Sequence, residues 1–228
     1  MRRFARLHGV ILENDSMKLT RNSLNHMFRG FAFFTLTLLS GVALAATEEP
    51  KYSVLLKEDA FELRQYAALI VAETAVNGDM DSASSQGFRA IADFIFGNNK
   101  APGQNTSAKI AMTAPVTVQP RTQENSLREA KDWRIQFVMP SDYTMATLPK
   151  PNNQAVQLRE VPAQKFAVLR YSGLNTESKV EDKTKELLAW VKSKNWQTAG
   201  SPQLSRYDPP WTLPMWRRNE LWVEVTGP

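Results

Sequence analysis

The chain has no cysteine, and its only two histidines, His8 and His26, fall within the first 26 of its 228 residues. Beyond that point neither thiolate nor imidazole exists. The Ser-His-Asp and Cys-His arrangements of nucleophilic catalysis and the usual zinc and iron-sulfur ligand sets cannot then be assembled. No disulfide can staple the fold, which must stand on its core. Phosphate and calcium signatures are missing too: there is no Walker loop, no G-x-G-x-x-G and no D-x-D-x-D-G loop. The Gly-containing stretch from Gly97 to Gly103 reads as a surface loop. Of the carboxylates, Glu220 and Glu224 would share one face of a strand, but four residues at ~3.3 Å each separate them by ~13 Å. A glycosidase pair needs roughly 5 to 9.5 Å, so both read as solvated charges on an outer face. These exclusions point away from an enzyme.

The one long apolar run lies near the start. Arg29 precedes Phe31-Ala-Phe-Phe-Thr-Leu-Thr-Leu-Leu, and small residues follow to Ala45 and Ala46. A positive residue, a greasy stretch and Ala-x-Ala is the order of a secretory signal, which makes 1–46 a leader and 47–228 a single domain. Its apolar length is at the lower margin for spanning a ~30 Å hydrocarbon core, so an uncleaved anchor is the alternative. The expected location is periplasmic or secreted. The net charge of +5 belongs mostly to this leader: without its six basic and two acidic residues, 22 Lys and Arg face 21 Asp and Glu. That near balance gives no reason to expect nucleic acid.

In the remainder, hydrophobic periodicity predicts strands over Tyr52 to Glu58, Phe61 to Tyr66 and Ala68 to Val76. A helix follows, with Asp81 as its N-cap, Phe88, Ile91, Ala92 and Ile95 as its apolar stripe, and Gly97 as its stop. Further strands are expected over Ile110 to Val118, interrupted by Pro115, and over Trp133 to Met139, where apolar and polar residues alternate. After a Pro- and Asn-rich linker from Pro140 to Gln154 the order repeats. Strands span Val156 to Val161 and Lys165 to Tyr171, and Val180, Thr184, Leu187, Leu188 and Val191 mark a second helix. Strands from Leu204 to Tyr207 and Asn219 to Thr226 end the chain. The repetition predicts an α+β domain of pseudo-twofold character, a curved antiparallel sheet with two helices.

Five strings in this frame, Phe61-Glu-Leu-Arg-Gln-Tyr66, Lys109-Ile-Ala-Met-Thr-Ala-Pro-Val116, Phe137-Val-Met-Pro140, Tyr207-Asp-Pro-Pro210 and Arg217-Arg-Asn-Glu-Leu-Trp222, resemble the SOUL haem-binding family from about Tyr52 to Val225. The resemblance implies a distorted antiparallel β-barrel with two flanking helices, similar in architecture to regulatory domains of the GyrI type. It also implies a haem or related tetrapyrrole, held non-covalently in a shallow apolar groove beside the first helix.

Carried over by position, that groove would take Phe88, Ile91, Ala92 and Ile95, although such a stripe is also the pattern of core packing. Haem propionates want basic partners, and Arg89, Lys100 and Lys109 are the candidates. Without imidazole or thiolate, an axial ligand could come only from Met, Tyr or Lys. Met112 and Tyr171 are the candidates, and Met139 reads as core. Trp211, Trp216 and Trp222 could form a stacking surface or simply pack the Pro-rich stretch from Pro209 to Pro214. Within Arg217-Arg-Asn-Glu220, alternation pairs Arg218 with Glu220 and gives Asn219 a turn to satisfy. The expected function is binding of haem or a related tetrapyrrole for scavenging, buffering or transport, with no structural metal. Two alternatives stand beside it: a GyrI-like module for another hydrophobic small molecule, or an envelope interaction protein without a porphyrin. A membrane would be involved only through an uncleaved leader.

Overall fold

The computed structural model describes residues 47–104, 106–123 and 126–226, so the expected leader over 1–46, with both histidines, lies outside the described residues. The strands are β1 (Tyr52–Glu58), β2 (Phe61–Tyr66), β3 (Leu69–Asn77), β4 (Asn99–Lys100), β5 (Val116–Pro120), β6 (Asp132–Val138), β7 (Lys150–Pro151), β8 (Val156–Val161), β9 (Gln164–Tyr171), β10 (Gln197–Thr198), β11 (Gln203–Arg206) and β12 (Asn219–Thr226). Helix α1 (Met80–Ile95) follows β3, helix α2 (Glu177–Ser193) follows β9, and a 3₁₀ turn, Pro214–Trp216, precedes β12.

Ten strands form one antiparallel sheet in the order β1-β2-β9-β12-β11-β5-β6-β3-β8, with β10 added on β12. Its end strands, β1 and β8, do not pair with each other, and the sheet curls into a half-barrel. The order is nearly a palindrome about the β5–β11 seam, where Val118 faces Leu204 and Thr117 faces Ser205. In each half a hairpin, β5–β6 or β11–β12, lies beside the strand before its helix, β3 or β9. The leading strands are exchanged: β2 pairs with β9 of the other half, and β8 pairs with β3. The predicted repeat is therefore present, and the halves are interlocked.

Both helices cover one face of the sheet, α1 over β3 and β6 and α2 over β9 and β12. Period-two alternation supplies that face: Trp133, Ile135 and Phe137 from β6 and Leu221, Val223 and Val225 from β12 are buried in one cluster with Ile91, Ile95, Val180 and Leu187. Helix α1 approaches closely because Gly87 has no side chain; a Cβ there would stand 2.3 Å from Ile135 Cγ1. Its end follows the sequence reading, with Gly97 at φ +124°. The amides of Gly97 and Asn98 donate to the carbonyls of Phe94 and Asp93, which closes a Schellman motif.

Two local expectations are corrected. The N-cap is Asp79, whose Oδ1 accepts the Ser82 amide at 2.9 Å. Met80 is already buried at the first helical position, so the helix begins before Asp81, which instead pairs with Arg206 at 3.0 Å. The strand expected from Ile110 begins only at Val116. Pro115 has no amide to give a ladder, and the residues before it bond elsewhere: Ile110 N donates to Ile95 O at 2.8 Å and Ala114 N to Glu48 O at 2.9 Å.

Candidate ligand-binding site

The alternation that fills the helix-covered face sends the other half of each strand to the opposite face. There Arg64 and Tyr66 of β2, Phe166 of β9, Trp222 and Glu220 of β12, and Arg134, Gln136 and Val138 of β6 come together. One cavity opens on this face, and a second adjoins it at the β3–β8 end, where it also reaches side chains of the helix-side cluster. The first, of about 360 Å³, crosses the seam and is lined by residues of both halves, among them Tyr66, Thr117, Arg134, Arg159, Phe166, Gln203 and Trp222. The other, about 700 Å³, lies at the β3–β8 end against Ile70, Met139 and Tyr143. They share walls at Pro50, Ala67, Leu69, Val138, Val161 and Pro162, and so form one trough. Both volumes are in the ~300–1,000 Å³ range of small-molecule sites.

At one end of the trough is an aromatic floor. Tyr66 and Trp222 have ring centroids 5.0 Å apart, and Phe166 lies 5.7 Å from Tyr66 and 5.5 Å from Trp222. Behind the floor sits Glu220, which is completely buried. The solvated outer-face role expected for it is overturned, because β12 is a central strand and this face is walled by β2 and by the residues flanking β11. Glu220 Oε2 accepts from Arg64 Nη1 at 2.8 Å, Tyr207 OH at 2.9 Å and Trp222 Nε1 at 2.8 Å. Its Oε1 accepts from Arg64 Nη2 at 3.2 Å and Arg218 Nε at 3.0 Å. Burial alone would raise this carboxyl, yet the hydrogen bonds and charge of Arg64, with the charge of Arg218, hold it below the usual carboxylate range. Arg64 also donates to Glu62 at 2.7 Å and to Tyr66 OH at 3.2 Å. The network thus fixes two of the three floor rings, Trp222 through its indole N–H and Tyr66 through its hydroxyl. The expected Arg218–Glu220 pair is present, and Asn219 Nδ2 caps Gly173 O at 2.9 Å, as a turn-satisfying residue should.

Across the seam the wall becomes basic. Arg121, Arg134 and Arg159 line the smaller cavity with a single carboxylate, Glu224. Arg159 donates to Glu73 at 2.9 Å, and Arg134 stands 3.8 Å from the same carboxylate. Burial would raise Glu73, but the bonds from Arg159 and Gln136 and the nearby guanidinium charges lower it, so it stays ionised. Two guanidiniums on one carboxylate leave positive charge for a ligand. The larger cavity is different in sign, with Glu48, Glu49 and Glu160 against Lys51. The arginine end is therefore the part of the trough whose charge favours anionic groups.

The residues carried over from the family to α1, and the basic and axial candidates named beside them, are placed as follows. Ile91, Ala92 and Ile95 are buried, the two isoleucines in the main core. Phe88 remains 38% exposed with its ring 5.5 Å from Phe137. Met112 is 41% exposed, and Arg89, Lys100 and Lys109 are on the surface. None of these eight lines the trough. Tyr171 donates its hydroxyl to Asn175 at 2.8 Å, and burial raises it further from a phenolate. Met139 is core, as its strand position required. Among the described residues no group of three or more His, Asp or Glu could hold a metal ion. Alternation along β6 puts Arg134, Gln136 and Val138 opposite the core face but does not by itself reveal a trough there. The missing signal was that β2 and β12 put aromatic rings on that same face.

An antiparallel half-barrel with two helices on one face and a trough on the other is the GyrI-like architecture. The family comparison is more specific: residues 47–224 match the SOUL heme-binding protein family, and the chain belongs to that family. Among solved structures, the C-terminal domain of EcmrR is similar at 16% identity, covering 78% of this chain and 99% of that one with a TM-score of 0.56. A hydrolase from Listeria innocua is similar at 10% identity, covering 75% of this chain and 94% of that one, with a TM-score of 0.50. At these identities the likeness is one of fold alone. No curated protein sequence matches this chain.

Proposed function

We propose that this protein binds a flat, amphipathic, anionic ligand of the tetrapyrrole class in the trough, as an exported carrier or buffer. The observation that carries the reading is the pairing of an aromatic floor at Tyr66, Phe166 and Trp222 with an arginine rim at Arg121, Arg134 and Arg159. A conjugated ring system stacks on the first, and its carboxylates meet the second. Family membership supports the ligand class, and the leader pattern from Arg29 to Ala46 supports export. The donor set suits a porphyrin plane and its propionates better than its iron. Of the Met, Tyr and Lys side chains on the walls, Tyr66 has its hydroxyl already bonded to Arg64 and Met139 is a buried thioether, which leaves Tyr143 and Lys51 of the larger cavity as the candidate iron donors.

A second reading keeps the ligand beside α1. It is favoured by the exposed Phe88 and Met112, which flank the end of β6 where Phe88 meets Phe137 and Thr113 bonds Val138 O. Arg89, Lys100 and Lys109 would then serve the propionates, which want basic partners.

Titration of the full chain with haemin and with metal-free protoporphyrin, followed by the Soret band and tryptophan quenching, tests both. Saturable one-to-one binding of both is expected. Val161 borders both cavities, so Val161→Trp should abolish binding in the trough. Phe88→Ser with Met112→Ser would abolish it beside α1. If neither porphyrin saturates, the tetrapyrrole reading is wrong.

A further inference from the structure

Four of the large apolar side chains exposed among the described residues fall within six positions of the β11–β12 connection. Trp211 is 83% exposed, Trp216 72%, Met215 66% and Leu213 49%. These residues do not collapse onto the sheet, because the loop that carries them is held from beneath. Arg217 reaches back so that its Nε donates to Thr212 O at 2.7 Å and its Nη2 to Pro210 O. At the stem, the Arg218 guanidinium stacks 3.6 Å over the Tyr207 ring, and Arg218 N donates to Asp208 Oδ2 at 2.6 Å. Thr212 N and Trp216 N close tight turns on Pro209 O and Leu213 O, at 3.0 and 2.9 Å. Two tryptophans are thus displayed in water on a preformed frame with a cationic base.

We infer that this loop seats the domain on the surface of an anionic lipid membrane. Tryptophan partitions to the headgroup level of a bilayer, and adjacent arginines favour anionic lipid. Arg217 suits that role, since the partners it has here are carbonyls rather than carboxylates. The area argues against a protein partner. Two tryptophans at ~150–250 Å² each with two smaller side chains fall short of the roughly 800 Å² per side that a stable protein interface buries. A bilayer interface needs no matching counter-surface, only apolar side chains that reach into it. The inference rests on the loop alone and is independent of what the trough binds.

The absence of cysteine allows a direct test in the full chain. Met215→Cys is labelled with an environment-sensitive dye, and Ala189→Cys, exposed on α2, is labelled as the control. With mixed phosphatidylcholine and phosphatidylglycerol vesicles, the label at 215 should shift to the blue and be quenched by nitroxide-bearing lipid, while the label at 189 should not. Adding Trp211→Ser and Trp216→Ser should cut the quenched signal at 215 by on the order of tenfold or more. A label at 215 that stays in water while the chain is vesicle-bound overturns the inference, as does failure of the chain to bind the vesicles. A concentration-dependent blue shift without vesicles overturns it in favour of a second copy of the chain.

Discussion

Replacing Glu220 by leucine would leave the Arg64 guanidinium, only 2% exposed, without the bidentate partner that neutralises it. Breaking a buried ion pair from one side typically costs about 3–5 kcal/mol, because the remaining charge stays desolvated. Arg64 would keep Glu62 at 2.7 Å, which places the expected loss near the lower end, about 3 kcal/mol. For a domain of this size each kcal/mol lowers Tm by about 2–4 °C, giving a fall of roughly 6–12 °C. Thermal and urea unfolding of Glu220→Leu measure it directly. Arg64→Met with Glu220→Leu should recover much of the loss, since the uncompensated charge is gone. A cost below about 0.5 kcal/mol for Glu220→Leu, the range of a surface substitution, would refute the network as the support of the aromatic floor. The pH dependence follows with its sign. Glu220 is lowered in the folded state, so its contribution is complete above the ordinary carboxylate pKa of about 4.3 and is lost as pH falls below that through the folded value. Glu220→Gln should flatten the acid limb of the stability curve and leave the limb above neutrality unchanged.

Three further expectations can be measured in the same way. Gly87→Ala gains helix propensity of about 1 kcal/mol but drives a methyl into Ile135, an overpacking of about 1–3 kcal/mol, so unfolding should show a net loss. Asp79→Ala should cost about 0.5–2 kcal/mol as a lost N-cap, whereas Asp81→Ala, which removes only an exposed pair with Arg206, should change stability by less than about 0.5 kcal/mol. Arg159→Gln should weaken free-acid protoporphyrin by about threefold to tenfold, a charge-assisted bond discounted for its solvent exposure, and leave the dimethyl ester unchanged.

The sequence disclosed what depends on period and punctuation. Strand β6, the stripe of α2 and the Gly97 stop each follow from local residue order, and the repeat followed from seeing that order twice. What it hid depends on which faces are closed. Alternation alone sends Arg64, Glu220 and Trp222 away from the helices, and on a one-sided sheet that means solvent. Here pairing of β2 with β9 and of β9 with β12 gathers three inward aromatic rings on that side and buries the charges among them. Nothing in β12 by itself distinguishes Glu220, fully buried, from Glu224 two turns of the pleat away, which is half-buried. The family resemblance pointed to α1 and could not show the trough, whose walls come from eight strands distant in sequence.

The exchange of leading strands decides how ligand binding and folding are linked. Because β2 completes the sheet of the second half and β8 that of the first, neither half can satisfy its own ladder, and the trough exists only when both are assembled. Unfolding should therefore be a single transition, read alike by Trp133 beneath α1 and by Trp222 in the trough floor in variants that retain one or the other. A ligand that occupies the trough at a hundredfold excess over its Kd adds about 2.7 kcal/mol to that transition. Both probes should then move together by roughly 5–11 °C. Two separate transitions, or a ligand shift seen by Trp222 and not by Trp133, would show that the halves fold independently and that the seam does not carry the coupling argued from its topology.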